Sequence, residues 1–126
     1  MSKSLTNLET ILHTFFEHQL IIKMLHFQTK HYGAHKTLDR YGSTFRDQLD
    51  LFMEVGQGIF GTVKTKNIDI SVPTMTDSNI EKYMNEFIKF LDTFEKLLGS
   101  GHSDLLNIRD EIKAESNRLK YLLKFR

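Results

Sequence analysis

Apolar side chains recur every three or four positions in the first thirty residues, which is the period of an amphipathic helix. Thr6-Asn7-Leu8-Glu9 has the pattern of a capping box, so we predict a helix from there to about Lys30. One row of this helix holds Leu8, Leu12, Phe15 and Ile22 and continues onto Gln19 and His26. A second row holds Phe16, Leu20 and Phe27. Two rows predict burial on both sides, either inside a monomer or against another subunit.

A second helix is predicted from about Ala34 to Phe60, after a reversal of the chain at Gly33. Its apolar row is Leu38, Phe45, Leu49 and Phe52. The glycines at positions 42, 56, 58 and 61 weaken this helix. Either it frays near Gly56, or the glycines let a neighbouring segment approach closely.

Residues 62–76 contain the only proline and no helical period, so they are predicted to form a connector. A capping box at Ser78 predicts a third helix through Leu98, and Ser103 is predicted to cap a last helix that ends near Phe125. The fold class is therefore all-α. The arrangement predicted for residues 1–126 is one domain, a ferritin-like four-helix bundle with one long crossover between helices 2 and 3.

Composition narrows the classes of function. The formal net charge of +1 gives no general attraction to nucleic acid or to a membrane. The absence of cysteine excludes disulfides, thiolate metal sites and cysteine nucleophiles. No apolar run approaches the roughly 20 residues of a membrane span, and the first residues lack the apolar core of a signal peptide. We therefore expect a soluble intracellular protein without a membrane partner.

Metal-ligating residue types are concentrated on the second helix. His35 and Asp39 are four residues apart, as are Asp50 and Glu54, so each pair presents two side chains on one helical face. Asp39 and Asp50 stand roughly 16 Å apart along the helix, so the pairs cannot share one ion within a chain. If all four residues serve one metal centre, its second half comes from another copy of the chain.

An antiparallel hairpin that reverses between Lys30 and Gly33 brings His26 level with His35. His26, His35 and Asp39 then converge from one subunit, and Asp50 and Glu54 reach in from a two-fold partner. Imidazole and carboxylate ligands suit iron, manganese or zinc. No glutamate has a histidine three residues later, which disfavours the usual di-iron site within one bundle.

The alternative interpretation is structural. Charged residues mostly lie exposed, and Asp47, Asp50 and Glu54 are spaced so that they can pair with Arg40, Arg46 and Lys36. The remaining histidines have no comparable partners along the chain, and we place them at the surface or the edge of the core: His13, His18, His31 and His102.

These motifs resemble the Dps family of mini-ferritins. LHFQTK is similar to that family's LHW-x-x-K segment, and His35-x3-Asp39-x10-Asp50-x3-Glu54 matches its ferroxidase spacing. The resemblance implies oxidation of iron(II) by peroxide or oxygen at a site between two subunits, with iron stored in a twelve-subunit shell. By position, the metal ligands are His26, His35, Asp39, Asp50 and Glu54. It implies a location in the cytoplasm or nucleoid.

The sequence departs from the Dps pattern in places. His26 lies nine residues before His35, where Dps proteins usually have twelve, and the N-terminus has only Lys3 in place of a lysine-rich tail. The HFQTKHYGAHKTLD segment also resembles short ferritin-like proteins of phages and large DNA viruses, for which a virion location and a structural or packing role are the alternative. A modest basic end, Arg118, Lys120, Lys124 and Arg126, keeps DNA binding as a further hypothesis.

Overall fold

The computed structural model describes residues 2–64 and 67–125, so Met1, the connector residues Thr65 and Lys66, and Arg126 of the basic end lie outside it. Over the described residues the chain is helical and has no strand, which confirms the all-α class. The helices are α1 (Lys3–Gln28), α2 (Tyr32–Phe60), α3 (Ile80–Leu91), α4 (Phe94–Leu98) and α5 (Ser103–Leu122), followed by a 3₁₀ turn, Leu123–Phe125.

Helix α1 begins four residues before the predicted capping box. Ser2 is its N-cap, and the Ser2 hydroxyl accepts a hydrogen bond from the Leu5 N–H at 3.0 Å. Thr6 lies inside the first turn, where its hydroxyl donates to the Ser2 carbonyl at 3.3 Å. The prediction of Thr6 as cap was wrong because Ser2 supplies the same acceptor one turn earlier.

The reversal between α1 and α2 does not use Gly33. Gly33 lies in the first turn of α2, and it is not among the glycines with positive φ. Instead the carboxylate of Asp77 stabilises the turn. It accepts hydrogen bonds from the Thr29 hydroxyl at 2.7 Å and from the Lys30 N–H at 3.4 Å. A distant acidic residue thus supplies what the sequence pattern assigned to glycine.

Close approach explains Gly56. Helix α2 continues without fraying to Phe60, as predicted, and Gly61 follows it with φ +107°. A Cβ atom at position 56 would lie 2.9 Å from Cδ1 of Leu8, a fully buried residue of α1. The missing side chain therefore lets α1 pack directly on the backbone of α2.

The segment between α2 and α3 runs along α1. Glu9 accepts a hydrogen bond from the Lys64 N–H at 2.9 Å, and Glu17, two turns further on, accepts one from the Ser71 N–H at 2.9 Å. The segment then reaches Asp77 at the α1–α2 turn. Helix α3 therefore begins at the same end of the molecule as α2.

The predicted third helix is interrupted. α3 ends at Leu91 and α4 begins at Phe94. At the break the Thr93 hydroxyl donates to the Phe90 carbonyl at 2.6 Å, and Arg109 of α5 donates to the Leu91 carbonyl at 2.9 Å. A threonine hydroxyl competes with the helical hydrogen bonds here, and an arginine from another helix satisfies the freed carbonyl.

The core lies between all five helices, and Phe87 of α3 reaches its centre. Its centre is the fully buried ring of Phe15, which has edge-on contacts with Phe45 at 5.3 Å and Phe52 at 5.6 Å between ring centroids. The predicted apolar row of α2 is buried throughout. Aromatic rings from α1 and α2 thus meet at the centre of the core.

Candidate functional site

His26 and His35 face each other across the α1–α2 turn. His26 belongs to the last turn of α1, and His35 to the first turn of α2. Their rings are stacked, with centroids 3.9 Å apart and planes at 19°. Nδ1 of His26 lies 2.8 Å from the His35 carbonyl oxygen, and Nδ1 of His35 lies 2.7 Å from the His26 carbonyl oxygen. The hairpin thus brings the two histidines level.

These hydrogen bonds determine the tautomer of both rings. A carbonyl oxygen can only accept, so Nδ1 of His26 and of His35 must each carry the hydrogen. In the neutral rings the lone pair is then on Nε2. Metal-bound histidines commonly have this arrangement, in which the nitrogen that does not bind the ion donates to a carbonyl and fixes the ring.

Asp39 joins the pair. It lies one turn after His35, and its Oδ1 is 4.0 Å from Nε2 of His26. His26 and Asp39 both line a surface groove of about 440 Å³ between α1 and α2, together with Gln19, Leu20, Ile22, Lys23, Leu38, Gly42, Ser43 and Arg46. A buried imidazole and an exposed carboxylate thus meet at the edge of an open groove.

Asp50 and Glu54 lie on the exposed side of α2, three to four turns from Asp39. Among the described residues, neither carboxylate has a hydrogen bond or ion pair. The three cations expected to pair with them have other partners. Lys36 lies over the ring of Tyr32, Arg40 is 3.6 Å from Glu115, and Arg46 is 3.9 Å from Asp47. In the described residues, Asp50 and Glu54 therefore do not form the ion pairs that the structural interpretation predicted.

Within one copy, the candidate ligands do not form a complete site. No group of three or more histidine, cysteine, aspartate or glutamate side chains in residues 2–64 and 67–125 is close enough to hold a metal ion. The described chain brings together His26, His35 and Asp39 as neighbours, and it keeps Asp50 and Glu54 apart from them.

The second apolar row of α1 is left uncovered. Phe16, Leu20 and Phe27 are 39%, 44% and 64% exposed. They lie on the side of α1 opposite to its buried row, and Met24 beside them is 39% exposed. Burial inside a monomer, the first of the two explanations for this row, therefore does not hold in the structure.

A buried polar chain that sequence reasoning missed connects all the long helices. His18, predicted to lie at the surface or core edge, is fully buried. Its Nδ1 lies 2.6 Å from the Tyr83 hydroxyl and its Nε2 lies 2.7 Å from the Tyr41 hydroxyl. Tyr41 in turn is 3.0 Å from the Ser116 hydroxyl, which donates to the Ile112 carbonyl at 2.8 Å. One side chain from each of α1, α2, α3 and α5 takes part.

The carbonyl at the end of this chain sets the direction of every bond. Because Ser116 gives its hydrogen to Ile112, it can only accept from Tyr41, and Tyr41 must then accept from Nε2–H of His18. Nδ1 of His18 is left to accept from Tyr83. The donor and the acceptor of every hydrogen bond among these four side chains are therefore determined.

Burial keeps all three titratable groups of this chain neutral. Desolvation lowers the pKa of His18 from 6.5 to about 3, and the same cause raises the pKa of Tyr41 and of Tyr83. The ring of His18 also stacks on Phe87 with centroids 3.5 Å apart. The signal in the sequence was its position, three residues after Phe15 and four before Ile22 on the buried row of α1.

The other three histidines lie where they were predicted. His13 lies 2.7 Å from the Asp69 carbonyl and 3.9 Å from Glu17, and His31 lies 3.7 Å from Asp77. His102 is half-buried against Phe60. These three lie at the surface or the edge of the core.

The described structure gives the class of the chain, an all-α protein in which two histidines meet at the α1–α2 turn beside a carboxylate. Comparison with known proteins then gives its family, because residues 26–123 match DUF5856, described as a family of unknown function. The chain belongs to this family. No curated protein and no solved structure matches it. In the described part of the chain, no helix is both long enough and apolar enough to cross a membrane.

Proposed function

We propose that this protein is a Dps-like mini-ferritin that binds and oxidises iron(II) at a site completed by a second copy of the chain. The observation that carries the proposal is the mutual hydrogen bonding of His26 and His35. It leaves both Nε2 atoms with their lone pairs and leaves Asp39 beside one of them. These donors fit iron(II), and they fit manganese(II) or zinc(II) as well.

The stacking of the two rings supports a site for two ions rather than one. A ligand nitrogen binds a metal in the plane of its own ring, at roughly 2.1 Å. The planes of His26 and His35 are nearly parallel and their centroids are 3.9 Å apart, so no single ion can lie in both planes. Paired metal sites have ions about 3.5–4 Å apart, which matches this separation.

Asp50 and Glu54 supply the second half in this proposal. Eleven residues, close to three helical turns, separate Asp39 from Asp50, so both lie on the same side of α2. When two copies of α2 pack antiparallel about a two-fold axis, the carboxylates of one copy face the histidines of the other. Their lack of partners within the described chain supports this role.

The uncovered row of α1 supports a contact with a second copy on the same side. A dimer contact would remove the exposed apolar area of Phe16, Leu20 and Phe27 from water. Such burial is favourable by about 25 cal/mol per Å². Leu20 also lines the groove that contains His26 and Asp39. The apolar contact and the incomplete site thus lie next to each other.

The chemistry follows from the charges of the ligands. Carboxylates bind iron(III) more strongly than iron(II), so Asp39, Asp50 and Glu54 favour the loss of an electron from the bound substrate. Two iron(II) ions together give two electrons to one hydrogen peroxide, which takes up two protons and becomes two waters. Histidines fixed by hydrogen bonds keep the two ions at the distance that this paired transfer needs.

The ferritin-like bundle belongs to the same proposal. Glu9 and Glu17 accept hydrogen bonds from the segment after α2, and Asp77 accepts one from Thr29 at the α1–α2 turn. These contacts support a long crossover between helices 2 and 3. In this arrangement α3 and α4 together form the third helix of the bundle. A twelve-subunit shell remains an expectation from the resemblance to Dps proteins.

Iron oxidation by the purified protein tests this function. Iron(II) is added without oxygen, hydrogen peroxide follows, and the formation of iron(III) is recorded by its absorbance. We expect the fast phase to be lost in Asp50→Ala plus Glu54→Ala and kept in the control Glu81→Ala plus Glu86→Ala, which removes two exposed carboxylates from α3. An unchanged rate in the first variant would overturn the assignment.

A second function has an observation in its favour. Because one copy holds no group of three ligand-type side chains in the described residues, the protein could be a ferritin-fold structural or packing protein, virion- or nucleoid-associated, without redox activity. The two functions differ in metal content. A packing protein would contain no metal or only redox-inert zinc, and its assembly would be unchanged in Asp39→Ala.

A further inference from the structure

Tyrosine is the side chain of this protein that gives up a single electron most readily. The sequence contains no tryptophan and no cysteine, and its four tyrosines are Tyr32, Tyr41, Tyr83 and Tyr121. Their surroundings differ. Tyr32 and Tyr121 are 75% and 58% exposed, whereas Tyr41 is fully buried and Tyr83 is partly buried. The tyrosines therefore differ in what can take their proton when an electron is removed.

The hydroxyl of Tyr83 has a base within hydrogen-bond distance. It lies 2.6 Å from Nδ1 of His18, and the order of hydrogens in the buried chain makes Tyr83 the donor and Nδ1 the acceptor. The imidazole ring is fixed from two other sides, by stacking on Phe87 at 3.5 Å and by the Tyr41 hydroxyl at 2.7 Å from Nε2. This geometry meets the distance requirement for a general base that accepts the Tyr83 proton directly.

No other tyrosine in the described part of the chain has such an acceptor. Tyr41 donates to the hydroxyl of Ser116, which gives its own hydrogen to the Ile112 carbonyl and is a very weak base. The hydroxyls of Tyr32 and Tyr121 have no hydrogen-bond partner among the described residues, so their protons can pass only to water. The tyrosine of α3 is therefore distinguished from the other three by its base.

A surface groove of about 220 Å³ between α1 and α3 gives access to Tyr83. The side chains that line it include Tyr83, Ile21, Phe87, Phe90, Glu17 and Glu86. Small oxidants can approach the phenol ring through this groove, and its two carboxylates favour cationic ones. Burial, and then the charges of Tyr41 and Glu17, raise the pKa of Tyr83, so its hydroxyl keeps its proton until an electron is removed.

We propose that Tyr83 is a one-electron donor and that His18 accepts its proton in the same step. An outer-sphere one-electron oxidant takes an electron from the phenol ring, and the O–H hydrogen crosses to Nδ1 as a proton. The products are a neutral phenoxyl radical, an imidazolium and the oxidant reduced by one electron. A one-electron reductant such as iron(II) later returns the electron, and the imidazolium returns the proton to the phenol oxygen.

Loss of the electron is what makes this proton transfer favourable. Burial lowers the pKa of His18 to about 3, so its ring takes no proton from water at neutral pH. A phenol that has lost an electron is a far stronger acid than this imidazolium, so its proton passes to Nδ1. The positive charge then lies on the imidazole, and the carboxylate of Glu17 at the neighbouring groove stabilises it.

The proposal is independent of the iron site. It involves none of the proposed metal ligands, and its test needs no added iron. The competing interpretation is structural, in which Tyr83 does no more than satisfy the buried nitrogen of His18. In that case Tyr83 would be oxidised no faster than an exposed tyrosine, and the solvent hydrogen isotope would not affect its oxidation in any special way.

Flash photolysis of the full chain with tris(bipyridine)ruthenium(II) and a cobalt(III) ammine as electron acceptor tests the proposal. Light produces ruthenium(III), a cationic one-electron oxidant, and the phenoxyl radical is recorded by its absorbance and by electron paramagnetic resonance. We expect a long-lived radical in the wild type, because a ring held in the fold cannot couple to a second ring. This signal should be lost in Tyr83→Phe and kept in the control Tyr32→Phe plus Tyr121→Phe, which removes both exposed tyrosines.

Two further measurements separate a proton acceptor from a structural contact. After complete exchange into D2O, the wild-type radical should form more slowly, because the proton moves together with the electron. His18→Leu keeps the tyrosine but removes its base and should abolish the fast formation, whereas Tyr41→Phe should keep it. Circular dichroism shows whether each variant is folded, and the isotope measurement needs no variant. A long-lived radical in Tyr83→Phe, or equal rates of formation in H2O and D2O, would overturn the proposal.

Discussion

The imidazole rings of His26 and His35 are stacked 3.9 Å apart, and each ring donates its Nδ1 hydrogen to the backbone carbonyl of the other residue. This relationship ties the end of α1 to the start of α2 through side chain and backbone together. It also leaves the lone pairs of both Nε2 atoms available, and Asp39 lies beside Nε2 of His26. In each of these two rings, Nδ1 holds the turn together and Nε2 is the proposed metal ligand.

Removing one histidine should remove one of the two metal ions. We expect His35→Ala to bind half as much iron(II) as the wild type in an anaerobic calorimetric titration, because each ring serves its own ion. His26→Ala should lower the stoichiometry to the same extent. His102→Ala, which changes a histidine distant from the turn, should leave the stoichiometry unchanged. Loss of all binding in either single variant would show that the two rings share one ion.

His18 should make the protein less stable in acid. Its pKa is about 3 when folded and near 6.5 when unfolded, so below pH 6.5 the unfolded chain binds a proton that the folded chain does not. The contribution of neutral, buried His18 to the free energy of unfolding is complete above pH 6.5. It falls by up to about 5 kcal/mol between pH 6.5 and 3. Urea unfolding at several pH values should show this slope in the wild type.

The variant His18→Leu isolates this effect. Because the other groups titrate identically in both proteins, only the effect of His18 remains in the comparison. The free energy of unfolding of the wild type should fall relative to that of His18→Leu as the pH drops below 6.5. A difference that does not change with pH would show that His18 is not held neutral by burial.

Loss of the two tyrosine hydroxyls should have unequal effects. Tyr41→Phe leaves both the His18 Nε2–H and the Ser116 oxygen without a partner in the core, at a cost of about 1–3 kcal/mol for each buried group. Tyr83→Phe leaves only Nδ1 of His18, and Tyr83 is nearer the surface. Urea unfolding should therefore rank Tyr41→Phe as the less stable variant. The reverse order would contradict the role of the Tyr41 hydroxyl as the partner of both His18 and Ser116.

Two glycines of α2 should respond oppositely to alanine. Gly56→Ala places a Cβ 2.9 Å from Cδ1 of Leu8, which is fully buried and would have to repack among its core neighbours, so we expect a loss of about 1–3 kcal/mol. Gly58→Ala meets nothing within 4 Å and should gain up to about 1 kcal/mol from helix propensity. Thermal unfolding of the two variants checks both signs. Stabilisation by both substitutions would show that α1 does not depend on the close approach at Gly56.

Helical period was enough to place α2, its buried row and its end at Phe60, because these depend on contacts along one helix. The same period put His26 and His35 on either side of a short turn, from which their proximity followed. It could not show that Thr93 interrupts the third helix, since the freed carbonyl of Leu91 is satisfied by Arg109, eighteen residues further on.

Sequence reasoning also missed what long-range pairs decide. Gly33 seemed the natural turn residue, but the carboxylate of Asp77 stabilises the turn from another part of the chain. His18 was assigned to the surface or the edge of the core because no partner for it was evident along the chain, yet Tyr41 and Tyr83 satisfy both of its nitrogens in the core. Buried polar residues become predictable only when their partners are known.

Complementation between two inactive variants tests the shared site most directly. Asp39→Ala and Asp50→Ala plus Glu54→Ala each disable every site of their own homodimers. If they are mixed, unfolded and refolded together, half of the dimers pair one of each, and each such dimer has one site with all its ligands. The account predicts that roughly a quarter of wild-type peroxide-dependent iron(II) oxidation returns, as two-fold symmetry requires. No activity above that of the separate variants would contradict a site built from two copies.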